Sequence, residues 1–237
     1  MKTKDLSETL AVVSGGTRGI GLALVQGFLK AGMHVATCSR SSQHVESLRK
    51  THASSRLDVF SADLSQREGV RSFVREIHAL KLPISVLVNN VGNFVPAYLK
   101  DEPEGQLESL MATNLYSAYW LSRDLIPKFI SQKFGHIFNI NSVAGLQAYP
   151  QGGSYSISKF AMRGLGLALR AELKEYGIRV TNIFPGAVLT DSWKGTTLPS
   201  SRFMRPEDIA NMVWQSLAVS ERSNVEDIIL RPVGGDL

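Results

Sequence analysis

Tyr155 and Lys159 lie in the run Tyr155-Ser156-Ile157-Ser158-Lys159, with Ser142 upstream in Asn139-Ile140-Asn141-Ser142. Positions i and i+4 of a helix share a face, so the phenol and the ammonium would project together into one site. A cation beside a phenol favours the phenolate and lowers its pKa toward working pH, a setting suited to proton transfer. The same spacing also occurs on solvated helices. The upstream serine and a glycine-rich turn near the start of the chain favour the chemical reading.

That turn, Ser14-Gly15-Gly16-Thr17-Arg18-Gly19-Ile20-Gly21, follows an apolar run and opens a helical segment. Glycines let the backbone approach a pyrophosphate, and a helix N-terminus supplies amide donors and partial positive charge. The spacing of Gly15, Gly19 and Gly21 departs from the usual dinucleotide fingerprint, and a tight strand-to-helix turn is the plain alternative. The second apolar run ends in Ser39-Arg40, with no acid where one would grip a ribose 2′-hydroxyl. Arg18 and Arg40 could clamp a 2′-phosphate instead, which favours NADP over NAD.

Composition sets the frame for this site. The chain has 237 residues, 43% hydrophobic and 20% charged, which fits a single α/β domain without a disordered or fibrous signature. No apolar run reaches the about 18 residues of a membrane helix, and Met1-Lys2-Thr3-Lys4-Asp5 leads directly into an apolar run without a leader-like core. The expected location is therefore the cytoplasm. Cys38, the one cysteine, reads as a core residue, and the five histidines lack ligand spacing, so no metal is expected. The net charge of +5 is spread along the chain, which disfavours a nucleic-acid module.

The elements that must position the site alternate. Apolar runs at 10–13, 33–38, 56–60, 84–88, 136–140, 178–183 and 227–230 read as strands. Helical patterns read at 20–30, 43–50, 66–80, 104–132, 155–176 and 206–219, with Pro127 expected to kink or end the long one. Strands separated by helices of this length imply a doubly wound, Rossmann-type parallel sheet of about seven strands, with helices on both faces. The least regular stretch, 186–205, is where a mobile lid would sit.

With these motifs in this order, the chain resembles the short-chain dehydrogenase/reductase family nearly end to end. Asn89-Asn90-Val91-Gly92 is similar to the family's NNAG at the fourth strand, and Ser14 stands where threonine is usual. Asp63-Leu64 resembles the pair that meets the adenine. Pro185-Gly186, Val188 and Thr190 resemble the segment that holds the nicotinamide carboxamide. Asn114, Ser142, Tyr155 and Lys159 match the catalytic tetrad.

The resemblance implies an NADPH-dependent carbonyl reductase. Tyr155 would protonate the carbonyl oxygen, Lys159 would lower its pKa and hold the nicotinamide ribose, and Ser142 would hydrogen-bond the substrate oxygen. Asn114 would orient a water linking Lys159 to solvent. Phe94, Ala144, Tyr149 and Trp193, with Asn93 and Val95, fall after strand ends or in the lid, where a substrate pocket is built.

The C-terminal half is similar to bacterial sepiapterin-reductase-like members, which suggests a pteridine side-chain ketone or another vicinal dicarbonyl. The 3-oxoacyl-carrier-protein reductases carry the same tetrad and give the alternative, a 3-oxoacyl thioester. An NADP-sensing regulator on the same fold is the alternative of another class. Ala161, Gly164, Ala168 and Ala171 recur along one helix face. Either the sheet or the same helix of a second copy could pack there, and the resemblance favours a homodimer or homotetramer.

Overall fold

The computed structural model describes residues 6–52, 54 and 56–237; the leading segment 1–5 discussed above lies outside them. The first strand, β1 (Leu10–Val13), is buried on both sides. Leu10 and Val12 pack into one apolar cluster, and Ala11 and Val13 into another. Alternation sends successive side chains to opposite faces, so a strand apolar at every position needs a helical layer on each side.

Both layers are present. The chain runs β1, α1 (Gly19–Lys30), β2 (His34–Ser39), α2 (Ser42–Thr51), β3 (Leu57–Ser61), α3 (Arg67–Ala79) and β4 (Ile84–Asn89). It continues through α4 (Gln106–Met111), α5 (Ser117–Gln132), β5 (Gly135–Ile140), α6 (Gly153–Leu173), β6 (Ile178–Pro185), α7 (Pro206–Ala218) and β7 (Asp227–Leu230). The sheet order is β3-β2-β1-β4-β5-β6-β7, and every pairing is parallel. Phe73 of α3, Leu121 and Phe129 of α5 and Leu169 of α6 fill one face. Leu24 and Phe28 of α1 and Ile209 and Val213 of α7 fill the other. The order reverses between β1 and β4, and in such sheets ligands bind beyond the strand carboxyl ends at that point. No helix among the described residues is long and apolar enough to cross a membrane.

The helix expected over 104–132 is interrupted, but not at Pro127. A π-helical turn, Ala112–Tyr116, separates α4 from α5, with the Ser117 amide donating to the Ala112 carbonyl. Pro127 lies inside α5 without ending it. It is exposed there, as is Arg123 one turn earlier, so the carbonyl it leaves unpaired can meet water.

A polar ladder crosses the sheet at one register level, Asn89↔Asn139↔Asn182↔Asp227, buried at its three asparagines. The Asn89 amide donates to Asn139 at 2.9 Å and to Ser122 at 2.9 Å. Asn139 donates to Asn182 at 3.0 Å, and Asn182 to Asp227 at 3.1 Å. The ladder ties four strands just below the ends that carry the site. Gly166 of α6 sits over Asn182, where any Cβ would overlap its side-chain amide.

Candidate active site and cofactor cleft

Ser14 joins the ends of β1 and β4. Its hydroxyl donates to the Val88 carbonyl at 3.2 Å and accepts from the amides of Asn90 (2.9 Å) and Val91 (3.2 Å). The Asn90 side chain in turn donates to the carbonyls of Ser14 (2.9 Å) and Gly15 (3.1 Å), holding the glycine turn. A Cβ on Gly21 would strike the Gly15 carbonyl, and Gly15 and Gly19 have φ of 70° and 52°. These glycines are fixed by backbone geometry and by close approach.

Helix α1 starts behind this turn with no side chain capping its first amides, which leaves donors for an anion. The cleft in front has a volume of about 420 Å³ and is lined by Gly15, Thr17, Arg18, Gly19, Ile20 and Gly21 from the turn. Arg40, Asp63 and Leu64 close it on the β2–β3 side, and Asn90, Gly92 and Thr190 on the other. A glycine cradle, uncapped amides and two arginines suit a dinucleotide with an extra phosphate. Arg18 is already paired with Asp191 at 3.0 Å, both side chains being more than half exposed. Among the described residues no ion pair involves Arg40.

A second cavity, about 480 Å³, is lined by Ser142, Tyr149, Tyr155, Pro185, Gly186, Val188 and Trp193 among others. It shares Ile20, Phe94, Thr190 and Ser192 with the first, so the two are contiguous. Phe94 stands edge-on to Tyr155 at 4.9 Å between ring centroids, and 6.0 Å from Trp193. Trp193 rests edge-on against Phe203 at 5.0 Å. The base of the 186–205 segment is fastened by Leu189 donating to Met204 (2.9 Å) and Met204 to Ala187 (3.0 Å).

The four tetrad candidates come together from three elements. Tyr155 and Lys159 occupy one face of α6, with the Lys159 Nζ 5.8 Å from the Tyr155 ring centroid. Ser142 follows β5, and its Oγ accepts from the Ala144 amide at 3.1 Å. Asn114, in the π turn, is fully buried. It accepts from the Asn93 amide (2.7 Å) and donates to the Asn93 carbonyl (3.0 Å) and to Ser158 (2.9 Å). Gly92 bridges the group: a Cβ there would lie 3.5 Å from both Asn114 Oδ1 and Lys159 Nζ.

Burial pushes the Tyr155 phenol up to about 12, partly offset by a hydrogen bond with Ser142 and reinforced by Tyr149. Burial also lowers Lys159 to about 8. The expected lowering of the phenol by the ammonium is not seen, and desolvation governs both groups. At neutral pH Tyr155 is protonated and holds a proton it can give.

Of the pocket candidates, Phe94, Tyr149 and Trp193 line the second cavity. Ala144 does not: it is fully buried under the turn that follows Ser142. Two residues that sequence reasoning missed do line it, Arg231 and Asp236, which form an ion pair with each other. Arg231 directly follows β7, so the rule that places ligands beyond strand carboxyl ends could have found it.

The model of the family described as short chain dehydrogenase matches residues 9–199. A sepiapterin reductase of Chlorobaculum tepidum is 34% identical over 238 aligned residues, covering 96% of this chain and 98% of that protein. A metagenomic short-chain oxidoreductase solved in complex with NADP is 28% identical, with a TM-score of 0.82 over 97% of this chain and 99% of that one. Serine dehydrogenase from Escherichia coli is 25% identical, with a TM-score of 0.86 over 97% of this chain and all 100% of its own.

Proposed function

This chain belongs to the short-chain dehydrogenase family, and on that premise we propose that it reduces a ketone to an alcohol with NADPH, Tyr155 acting as the general acid. The observation that carries the reading is the protonated Tyr155 phenol facing a cavity that opens into the glycine-turn cleft. The cofactor, when bound, supplies the hydride.

The chain's own residues do the rest. Uncapped α1 amides and the glycine turn receive the pyrophosphate, and Arg40, in no ion pair among the described residues, meets a 2′-phosphate. Ser142 donates to the substrate oxygen, where negative charge develops as the carbonyl is reduced. Tyr155 then gives its proton to that oxygen. Lys159, lowered to about 8, exchanges protons near neutral pH, with its Nζ 5.8 Å from the Tyr155 ring centroid. Asn114 has spent its side chain on Asn93 and Ser158, so its part is to fix the β4 exit and α6 relative to each other.

For substrate, the reading favours a flat ring bearing a ketone or vicinal dicarbonyl of the sepiapterin kind. It is supported by the aromatic wall of Phe94, Tyr149 and Trp193 and by the 34% identical sepiapterin reductase. The test is NADPH consumption with sepiapterin, a simple diketone and an acetoacetyl thioester side by side. Preference for the thioester would replace the ring ketone with acyl chemistry, and tight NADPH binding without turnover on any carbonyl would point to a sensor.

The protein is also proposed to form a homodimer or homotetramer through α6. Gly164, Ala168 and Ala171 are exposed, with Ile157, Phe160 and Leu167 exposed between 43% and 47% beside them. The sheet-facing role that small residues could have served falls to Gly166 instead. A one-chain mass in sedimentation would remove this proposal.

A further inference from the structure

Helix α6 carries Tyr155 in its first turn, yet nothing local caps it. Its N-cap is Gly152, with no side chain to offer, and the entry is contorted: Gln151 and Gly153 have φ of 64° and 31°. An end of this kind leaves amides unsatisfied beside the group whose position matters most.

The missing acceptor comes from far away in sequence. Glu102, in the segment between β4 and α4, accepts from the Ser154 amide through Oε1 at 2.7 Å and from the Ser154 hydroxyl through Oε2. Ser154 is buried, and these two bonds hold the Glu102 carboxyl below the usual carboxylate range. The fit is close: a Cβ on Gly153 would collide with Oε1 and lie 2.9 Å from the Ala97 carbonyl. The Ala97 amide also donates to the Gln151 carbonyl at 2.9 Å.

The same segment reaches Tyr155 from the other side. Asn93 is held at both its amide and its carbonyl by Asn114, and Phe94 next to it stands edge-on to the Tyr155 ring. The stretch 93–102 is thus tied at Asn114, at Gln151 and at Ser154, with the phenol between the ties.

We propose that Glu102 is a positioning residue for the reaction: it is the remote N-cap of α6, and by fixing the first turn it sets the Tyr155 phenol against Ser142 and Phe94. This rests on the reading of Tyr155 as the general acid. A misplacement of about 1 Å can cost about 10²-fold in rate. The glycine turn, Arg40 and Asn90 that line the dinucleotide cleft lie on elements other than α6.

The test pairs turnover with amide hydrogen exchange in full-length protein, using Glu102→Ala, Glu102→Gln and Ser154→Ala. Glutamine keeps a carbonyl acceptor for the Ser154 amide and an amide group for its hydroxyl. For Glu102→Ala we expect kcat to fall roughly 10–100-fold, KM for NADPH to change less than about threefold, and exchange at 153–156 to accelerate. Glu102→Gln should restore both, and Ser154→Ala should fall between, which serves if the alanine variant at Glu102 does not fold. The proposal is overturned if Glu102→Ala keeps kcat within about twofold of wild type, or if the glutamine is as impaired as the alanine. Exchange reads the cap without any chemistry, so a failure of the Tyr155 assignment, seen as full turnover in Tyr155→Phe, stays distinguishable from a failure of the cap.

Discussion

Lys159 does not hydrogen-bond Tyr155: its Nζ donates to the Ile140 carbonyl at 3.3 Å and sits 5.8 Å from the centroid of the tyrosine ring. One carbonyl is poor compensation for a buried ammonium, and burial lowers the lysine from 10.5 to about 8. Below pH 8 the fold carries that charge at a cost. Between pH 8 and 10.5 the folded chain has shed a proton that the unfolded chain keeps, so stability rises with pH across the window, by up to roughly 3 kcal/mol. Tyr155 acts in the opposite sense between pH 10 and 12, where the folded chain keeps a proton the unfolded one loses. Lys159→Met should therefore be more stable than wild type at pH 7, lack the rise above pH 8, and be catalytically impaired. Urea midpoints at pH 7 and 9 check this, and a variant less stable than wild type at pH 7 contradicts it.

His136 predicts an acid limb. It is buried in β5, stacked on Phe138 at 3.9 Å between ring centroids, with Nε2 2.7 Å from Thr181 Oγ1. That hydroxyl spends its proton on the Val225 carbonyl, so Nε2 is the donor and Nδ1 is the atom left without a partner. Burial first, and nearby Arg179 second, hold the imidazole well below 6.5. The group is neutral when folded, so its stabilisation is complete above pH 6.5 and declines as pH falls below it. Histidine NMR should show one imidazole still neutral under conditions where exposed ones are protonated.

Arg40 and Arg18 should not be equivalent toward NADPH. Arg40 has no ion-pair partner among the described residues, whereas Arg18 must leave Asp191 to reach a phosphate. Arg40→Ala should weaken NADPH binding about 10–100-fold, the scale of a charge-assisted hydrogen bond, with little effect on NADH. Arg18→Ala should cost less. Equal losses for NADPH and NADH in Arg40→Ala would remove the 2′-phosphate role.

The asparagine ladder predicts a stability loss away from the reacting groups. Asn139→Ala would leave a buried donor on Asn89 and a buried acceptor on Asn182 unpaired. At about 1–3 kcal/mol for each, the loss is roughly 2–6 kcal/mol, readable as a shift in the denaturant midpoint. A change below about 1 kcal/mol would mean that water replaces the lost amide.

Helices and strands were legible where apolar period and length agree, as in β4, β7 and α1, with ends displaced by a residue or two where fraying and caps decide. The π turn at 112–116 was not legible, because Asn114 is drawn in by Asn93 and Ser158, partners distant in sequence. Pro127 misled in the other direction, since on an exposed face its missing hydrogen bond does little harm. Tyr155 and Lys159 could be read as a pair because α6 alone fixes their spacing, whereas Asn114 came only from the family resemblance. Glu102 and Asp236 could not be found by spacing: loops that the topology folds back bring them to Ser154 and to the second cavity. Ala144 misled because following a strand end does not ensure that a side chain faces the cavity.

The central claim is that the Tyr155 phenol supplies the proton. Steady-state NADPH consumption by wild type and Tyr155→Phe, at saturating concentrations of a ketone the wild type reduces, tests it most directly. We predict a kcat lower by ~10²–10⁴-fold with NADPH binding retained. Near wild-type turnover in Tyr155→Phe would contradict the account.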